Sequence, residues 1–235
     1  MWVKICGNTN LEDAQLAARL GADAVGFVFA PSRRQVSASQ VAAITPHLPS
    51  HVERVGVFHS RDAAQIESIA RVAGLTTVQL HGGFDESLAR QLAERLAPSV
   101  RIIQTLHWPL DQPSPHTLAS PATGSPATLL TAQIVRIASL GLTDRILIDS
   151  QVGAAMGGTG VAFDWTAARA LFASAPSGVH LILAGGLNPR NVARAVAQLG
   201  LWGVDVSSGV EASPGRKDPE LLARFIEHAR AAAAP

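Results

Sequence analysis

The chain has 235 residues, of which 47% are hydrophobic and 16% are charged, and its formal net charge at pH 7 is +1. This composition is typical of a globular protein with ample core material, and the small net charge excludes the strong field of a nonspecific nucleic-acid or membrane binder. One cysteine rules out an intrachain disulfide, no signal peptide is recognisable, and no apolar run approaches the roughly 18 residues of a membrane span. We therefore expect a cytoplasmic protein with no nucleic-acid or membrane partner.

Short apolar, β-branched runs alternate along the chain with longer runs of helical period. We predict eight strands, at residues 2–6, 24–29, 53–58, 76–81, 100–106, 145–149, 179–186 and within 203–209. We predict a helix after each strand, at residues 10–22, 37–48, 61–74, 85–97, 129–141, 163–174, 188–200 and 218–233. Pro46 must kink or break the second helix, because proline removes a helical hydrogen bond.

Eight strand-helix units in one chain of this length predict an α/β fold, a single-domain (β/α)8 TIM barrel over residues 1–235. The strands are continuous apolar runs, as expected of parallel strands that are covered on both faces. A doubly wound open sheet is the alternative, and five or six units would favour it. Residues 107–128 are rich in Pro, Ser and Thr, which predicts a loop insertion after strand five. Its composition favours partial disorder over a lid.

Glycines and small hydroxyl side chains follow the last three predicted strands, at the barrel end where active sites lie. Backbone N–H groups approach an anion closely in such loops, and the N-terminus of a helix adds a favourable dipole. Asn188 is a plausible N-cap there, with Pro189 in the first turn. Tight turns without a ligand are the alternative. The predicted phosphate-binding residues are Gly158, Gly160, Gly185, Gly186, Ser207, Ser208 and Gly209.

Two further strand ends carry residues that can transfer protons. Asp149 ends the apolar strand "RILID", where a partly desolvated carboxyl group would face the barrel mouth; a structural hydrogen-bond acceptor is the alternative. Cys6 ends the first strand, although a lone apolar cysteine is more often a core residue. Arg33 and Arg34 follow strand two, and either could hold a carboxylate through two hydrogen bonds or simply be solvated.

Gln79 and His81 stand at the end of strand four and are candidate substrate contacts. A lone histidine is more often structural than catalytic. None of the eight histidines shows a metal-binding spacing such as His-Glu-x-x-His, and there is no Walker loop or dinucleotide fingerprint. We therefore predict that the protein uses no metal and no cofactor.

Taken together, the strand ends resemble those of the phosphoribosylanthranilate isomerases. The matching segments are "VKICGNTNLEDA", "GADAVGFVFAPSRRQVS", "RVGVF", "VQLHG", "LID" followed by "GGTGVAFDW", "LAGGLNPRNV" and "GVDVSSGVEASPGRKD". They run in family order over residues 3–218. The resemblance implies an Amadori rearrangement of N-(5-phosphoribosyl)anthranilate to 1-(2-carboxyphenylamino)-1-deoxyribulose 5-phosphate in L-tryptophan biosynthesis.

The resemblance also implies roles for individual residues. The family's cysteine base corresponds to Cys6, its aspartic acid to Asp149, and its arginine for the anthranilate carboxylate to Arg34. The loop after strand two is one residue shorter than the family form, so Arg33 stays an alternative. The partner implied is a small phosphosugar substrate, and both a monomer and a homodimer are compatible with the sequence.

Lys4 has the same side-chain parity as Cys6 on strand one, so it can point into the barrel and favour the thiolate with its charge. It is the third candidate substrate contact, and a buried structural ion pair is its alternative. Two other functions stay open. A histidine-pathway or dual-substrate isomerase would carry an aspartate on strand one, where Cys6 stands. A non-enzymatic phospholigand-binding barrel would keep its function after Cys6→Ala.

Overall fold

The computed structural model describes residues 1–96, 98–108, 126–150 and 165–233 of the chain. Eight parallel strands form a closed barrel in chain order, which confirms the predicted (β/α)8 architecture. The strands are β1 (Trp2–Ile5), β2 (Ala24–Val28), β3 (Glu53–Phe58), β4 (Thr77–Leu80), β5 (Arg101–His107), β6 (Arg145–Asp149), β7 (His180–Ala184) and β8 (Gly203–Val206).

Helices cover the outside of this barrel, and a small hairpin follows the last strand. The helices are α1 (Leu11–Arg19), α2 (Ala38–Ala42), α3 (Ala63–Val72), α4 (Glu86–Arg95), α5 (Pro126–Leu140), α6 (Trp165–Ala173), α7 (Val192–Leu199) and α8 (Pro219–Ala232). The antiparallel hairpin consists of β9 (Glu211–Ser213) and β10 (Arg216–Lys217). Within the described ranges, no helix is both long enough and apolar enough to cross a bilayer.

Most element ends differ from those predicted by one to three residues, and three of the differences change where a turn or a loop begins or ends. The second helix ends at Ala42, and Pro46 lies in a separate 3-10 turn (Thr45–His47), as proline requires. The helix after β7 begins at Val192 rather than at Asn188. A turn comes first, because the Asn188 side chain accepts a hydrogen bond from the N–H of Arg190 at 2.8 Å.

The third difference lies at the two ends of the segment predicted as an insertion. His107 is the last residue of β5, and α5 already begins at Pro126. Residues 109–125 of that segment lie outside the described part of the chain. The β9–β10 hairpin was not predicted at all.

Alternate residues of each strand point into the barrel, and they form two chemically different ends around an apolar middle. The apolar middle is one cluster of side chains from several strands: Trp2, Ala24, Val55, Ile103, Leu147, Ile182 and Ala184. A larger apolar cluster fills the space between strands and helices. The amino-terminal end of the barrel holds a polar plug, and the carboxyl end holds a cavity.

The plug is centred on Glu53. Its carboxylate accepts hydrogen bonds from Arg145 at 2.8 and 2.7 Å, and from Thr77 at 3.0 Å. The guanidinium of Arg145 is 6% exposed and lies 5.5 and 5.1 Å from the rings of Trp2 and Trp202. Because one end of a barrel serves catalysis and the other serves stability, we assign the plug to stability.

Glu53→Gln is expected to lower the free energy of unfolding by about 3 kcal/mol, because it leaves the buried Arg145 charge without its partner. The loss lies at the low end of the range for buried pairs because the Glu53 side chain is 21% exposed and its charge is partly screened by solvent. The matched control is Arg101→Gln, since Arg101 is 58% exposed and 4.0 Å from Glu53. It should change stability by less than about 0.5 kcal/mol. Urea denaturation measures both, and equal losses would contradict this view of the plug.

Candidate active site

A cavity of about 320 Å³ opens at the carboxyl ends of the strands. Nine residues that were predicted from the sequence line it: Cys6, Arg34, Gln79, His81, Asp149, Gly185, Gly186, Ser207 and Ser208. A larger cleft of about 480 Å³, between α4 and α5 at the opposite end of the barrel, contains none of the predicted residues. The predicted site residues therefore converge on the smaller cavity.

The floor of the cavity holds a charged pair beside Cys6. Lys4 is fully buried, and its Nζ donates a hydrogen bond to the Asp205 Oδ1 at 3.0 Å. The two residues are direct partners in the β1–β8 register. The ion pair that was the alternative for Lys4 is thus present, and the same ammonium group also faces the Cys6 thiol. Lys4 itself is not in the cavity lining.

Burial raises the pKa of the Cys6 thiol, and the neighbouring Lys4 and Lys217 oppose this rise without cancelling it. The thiol is therefore the resting form, and Lys4 limits the cost of forming the thiolate. Gly26 on β2 leaves space for the side chains of Cys6 and Lys4. A Cβ at this position would lie 2.8 Å from the Cys6 Sγ and 2.9 Å from the Lys4 Cε, so any larger residue would displace both side chains.

Arg34 reaches the cavity from the loop after β2 and is held there by Glu211 of the hairpin. Its Nε donates to the Glu211 Oε1 at 2.8 Å, and its Nη2 donates to Oε2 at 2.6 Å. The Glu211 side chain is only 4% exposed. Burial alone would raise the pKa of Glu211, but the hydrogen bonds from Arg34 and the charge of Lys217 hold it below its usual value. Arg33, by contrast, is exposed.

Lys217 links the same hairpin to the backbone of Cys6. Its Nζ donates to the carbonyl oxygen of Cys6 at 2.6 Å and to the Glu211 Oε1 at 3.0 Å. Burial lowers the pKa of Lys217, and Glu211 partly restores it. The Glu211 carboxylate therefore binds both the Arg34 guanidinium and the Lys217 ammonium group. Since Lys217 also binds the carbonyl oxygen of Cys6, Glu211 links the loop after β2 to the end of β1.

Histidines and Asp149 form the rim above β4, β5 and β6. The ring of His81 lies 4.9 Å from the rings of both His59 and His107, measured between centroids. Its Nε2 is 3.8 Å from the Asp149 Oδ2. Burial, with help from the two neighbouring rings, lowers the pKa of His81 to about 4. His81 is therefore neutral at physiological pH.

Gln79 lies one layer deeper on β4. Its Nε2 donates to the Thr105 Oγ1 at 3.2 Å. Its Oε1 is buried and has no hydrogen-bond partner among the described residues. A buried acceptor without a donor is costly, so this atom is free to accept a hydrogen bond from a bound ligand.

The predicted phosphate loops lie on the far side of the cavity. Gly185 and Gly186 follow β7 with φ angles of 94° and 67°, which favour glycine, and Ser207 and Ser208 follow β8. Gly209 does not line the cavity, and it packs so tightly that a Cβ would overlap the Leu187 carbonyl oxygen. Gly158 and Gly160 lie outside the described residues.

Several groups in or beside the cavity were missed from the sequence. Asp205 was not among the predicted site residues, yet it lines the cavity and pairs with Lys4; its side-chain parity on strand eight was the available signal. His59 directly follows β3 and fits the strand-end rule. Glu211 and Lys217 gave no signal, because their partners stand more than 170 residues earlier in the chain.

The sequence of this chain is similar to those of known proteins that belong to one family. The family model of N-(5'-phosphoribosyl)anthranilate isomerase matches residues 3–228. The N-(5'-phosphoribosyl)anthranilate isomerase of Thermotoga neapolitana is 41% identical over 232 residues, which cover 97% of this chain and 98% of that protein.

Solved structures show the same relationship. A phosphoribosylanthranilate isomerase in complex with reduced 1-(o-carboxyphenylamino)-1-deoxyribulose 5-phosphate is 35% identical, with a TM-score of 0.76 and coverage of 98% and 99% of the two chains. Monomers generated from the dimeric enzyme of Thermotoga maritima are 34% identical, with a TM-score of 0.74 and the same coverage.

Proposed function

Because this chain belongs to the N-(5'-phosphoribosyl)anthranilate isomerase family, we propose that its cavity binds N-(5-phosphoribosyl)anthranilate, with Asp149 as general acid and Cys6 as general base. The protein is an isomerase of L-tryptophan biosynthesis, and the reaction is an Amadori rearrangement. The observation that carries the residue roles is that Cys6, Arg34 and Asp149 line one cavity, although they stand far apart in the sequence.

The first chemical step is opening of the furanose ring. In its acid form, Asp149 gives a proton to the ring oxygen as the C1–O bond breaks, and the anilino nitrogen supplies the electrons that form the C1=N Schiff base. The carboxyl group sits at the cavity rim beside the neutral His81 ring. A neutral neighbour suits this role, because it does not compete with the proton for the carboxylate.

The second step is removal of the C2 proton. Cys6, as the thiolate, takes this proton, the C–H electrons form the C1–C2 double bond, and the Schiff base becomes an enolamine. Tautomerisation of the enolamine then yields the ketone product. Lys4 lies beside Cys6 at the floor of the cavity and favours this step, because its positive charge lowers the free energy of forming a buried thiolate.

Substrate binding uses groups on opposite sides of the cavity. We assign the phosphate to the loops that contain Gly185, Gly186, Ser207 and Ser208, with Gly158 and Gly160 as further candidates. Gly209 acts indirectly, since it allows the loops after β7 and β8 to pack closely. The anthranilate carboxylate is assigned to Arg34, and Gln79 and His81 remain candidate contacts between the two ends.

Glu211 and Lys217 are positioning residues in this scheme. Glu211 occupies the Nε–Nη2 edge of the Arg34 guanidinium, and Nη1, which makes no hydrogen bond to the residues that the structure describes, stays available to the substrate. Lys217 holds the carbonyl of Cys6 and so fixes the end of β1. Neither residue contacts a reacting atom in this proposal, and both act by restricting the groups that do.

Arg34→Met is expected to raise KM for phosphoribosylanthranilate by about 10- to 100-fold, the worth of a charge-assisted hydrogen bond. The matched control Arg33→Met should leave KM within about twofold, because Arg33 is exposed. Glu211→Gln keeps Arg34 but loosens it, so KM should rise by a smaller factor. The decay of substrate fluorescence measures all three. KM does not depend on the concentration of folded enzyme, so partial unfolding of a variant would not raise its KM.

The same assay tests the function as a whole. Wild-type protein should consume phosphoribosylanthranilate, and absence of turnover would contradict the proposed substrate. Turnover of the histidine-pathway aminoaldose instead would favour a dual-substrate isomerase. Equal effects of Arg33→Met and Arg34→Met would contradict the role of Arg34 while leaving the substrate assignment intact.

We also propose that the enzyme works in the cytoplasm, where its single cysteine would stay reduced. A monomer and a homodimer are both compatible with the proposal, because the predicted residues that line the cavity belong to one chain. Analytical ultracentrifugation distinguishes the two states. No nucleic-acid or membrane partner forms part of the proposal.

A further inference from the structure

Three potential metal ligands converge at the cavity rim, and the proposed reaction needs only one of them as a catalytic group. His81, His107 and Asp149 each offer one ligand atom, and these three atoms lie within 4.8 Å of one another. The residues come from the ends of three neighbouring strands, and His107 is the direct register partner of Asp149. We propose that this His–His–Asp cluster binds a divalent transition-metal ion and that the bound ion reversibly inhibits the isomerase.

Hydrogen bonding already prepares His107 as a ligand. Its Nε2 lies 3.0 Å from the carbonyl oxygen of His81. Because a carbonyl can only accept, this nitrogen must carry the proton, and Nδ1 keeps its lone pair. Metal-binding histidines usually donate their second N–H to a carboxylate or a backbone carbonyl, which fixes the ring and its tautomer. His107 has that arrangement without a metal.

His81 and Asp149 complete the set. The nitrogen of His81 that faces Asp149 is Nε2, and its Nδ1 is buried without a hydrogen-bond partner in the described part of the chain, so no neighbour fixes the tautomer of this ring as the His81 carbonyl fixes that of His107. The His81 Nε2 is 3.8 Å from the Asp149 Oδ2, too far for a hydrogen bond but close to the spacing of two atoms on one ion. Metal–ligand bonds of about 2.0–2.2 Å place such atoms roughly 3.3–4.4 Å apart, so small side-chain rotations would close the site.

The ligand set indicates which ions fit. Two imidazoles and one carboxylate favour Zn²⁺, Co²⁺, Ni²⁺ or Cu²⁺ over Mg²⁺ and Ca²⁺, which prefer oxygen ligands. The sequence predicted no metal because none of its histidines has the short spacing of ligands on a single element. Here each ligand comes from a different strand, so only closure of the barrel brings them together.

Inhibition follows from the role proposed for Asp149, and this part of the inference rests on the proposed function. A carboxylate that coordinates a metal ion cannot also carry the proton that ring opening requires. The ion would in addition occupy the space beside His81 where the substrate must lie. The metal-free enzyme is therefore the active form.

Titration with Co²⁺, followed by its visible absorption, tests the site directly. Wild type should develop the d–d bands of a low-coordinate site, and His107→Ala should weaken binding at least about tenfold. The matched control is His59→Ala, because the His59 ring also packs on His81 but lies outside the ligand set. It should bind Co²⁺ within about twofold of wild type.

Turnover assays with added Zn²⁺ provide the functional readout. Zn²⁺ should inhibit wild type and His59→Ala, whereas His107→Ala should need at least tenfold more Zn²⁺ and keep its metal-free turnover. The cluster is wrong if no Co²⁺ bands appear. It is also wrong if Cys6→Ser abolishes binding while His107→Ala does not, since the ion would then sit on the thiolate.

The two proposals can fail separately. If Co²⁺ binds through His107 but Zn²⁺ does not slow turnover, the inhibitory part is overturned and the role of Asp149 comes into question. If no metal binds and Asp149→Asn is nevertheless inactive, only the metal site is wrong.

Discussion

Cys6→Ser should lower kcat by about 100-fold or more, the usual worth of a positioned general base. Serine has nearly the same size, so packing beside Gly26 and Lys4 is kept, but its hydroxyl is a far weaker base at neutral pH. The fluorescence-decay assay measures kcat, and phosphate protection against thermal unfolding shows that the binding loops are intact. Near-normal turnover by this variant would remove Cys6 from the mechanism.

The pH dependence of the wild-type enzyme is a second test of Cys6 as the general base, because the pKa of its thiol fixes the direction of the change. Burial raises the pKa of Cys6, so the fraction of thiolate is small at neutral pH and increases as the pH rises. The wild-type kcat/KM should therefore rise with pH above neutrality. Cys6 is the only cysteine in the chain, so the pH dependence of alkylation by iodoacetamide reports its pKa without interference. A thiol that reacts fully below pH 7 would contradict a raised pKa.

Asp149→Asn should lower kcat by a comparable factor of about 100 to 10,000. The amide fills the same space at the cavity rim but cannot donate an acidic proton to the ring oxygen. KM should change little, because the phosphate and carboxylate contacts lie elsewhere. The expected pattern is therefore a loss in kcat with substrate binding retained, which is typical of an interaction made only in the transition state.

A matched control is available close to the same strand. Asp144 immediately precedes β6 at the opposite end of the barrel and is exposed. Asp144→Asn removes the same charge about one strand length away and should leave kcat within about twofold. If both variants lost activity equally, a general effect on the barrel, and not proton transfer by Asp149, would explain the loss.

Local patterns in the sequence were sufficient for the architecture and for the end of the barrel at which the predicted site residues line a cavity. Strands and helices differ in their hydrophobic period, and that period is a property of a few neighbouring residues. Counting eight units predicts the barrel, and the rule that active sites lie at the carboxyl ends of strands then selects Cys6, Asp149 and the loops after β7 and β8. These inferences need no long-range contact, which is why they agree with the geometry of the cavity.

The connections between these groups were decided only by the tertiary structure. Lys4 and Asp205 are 201 residues apart, and Arg34 and Glu211 are 177 residues apart. Side-chain parity can say that Lys4 and Asp205 point inward, but not which partner either residue meets in the closed barrel, and it says nothing about Arg34 and Glu211, which lie outside the barrel strands. The β9–β10 hairpin, which anchors both Arg34 and the end of β1, has no periodic signal because it is so short. Closure of the barrel creates these contacts, and with them the electrostatic environment of Cys6.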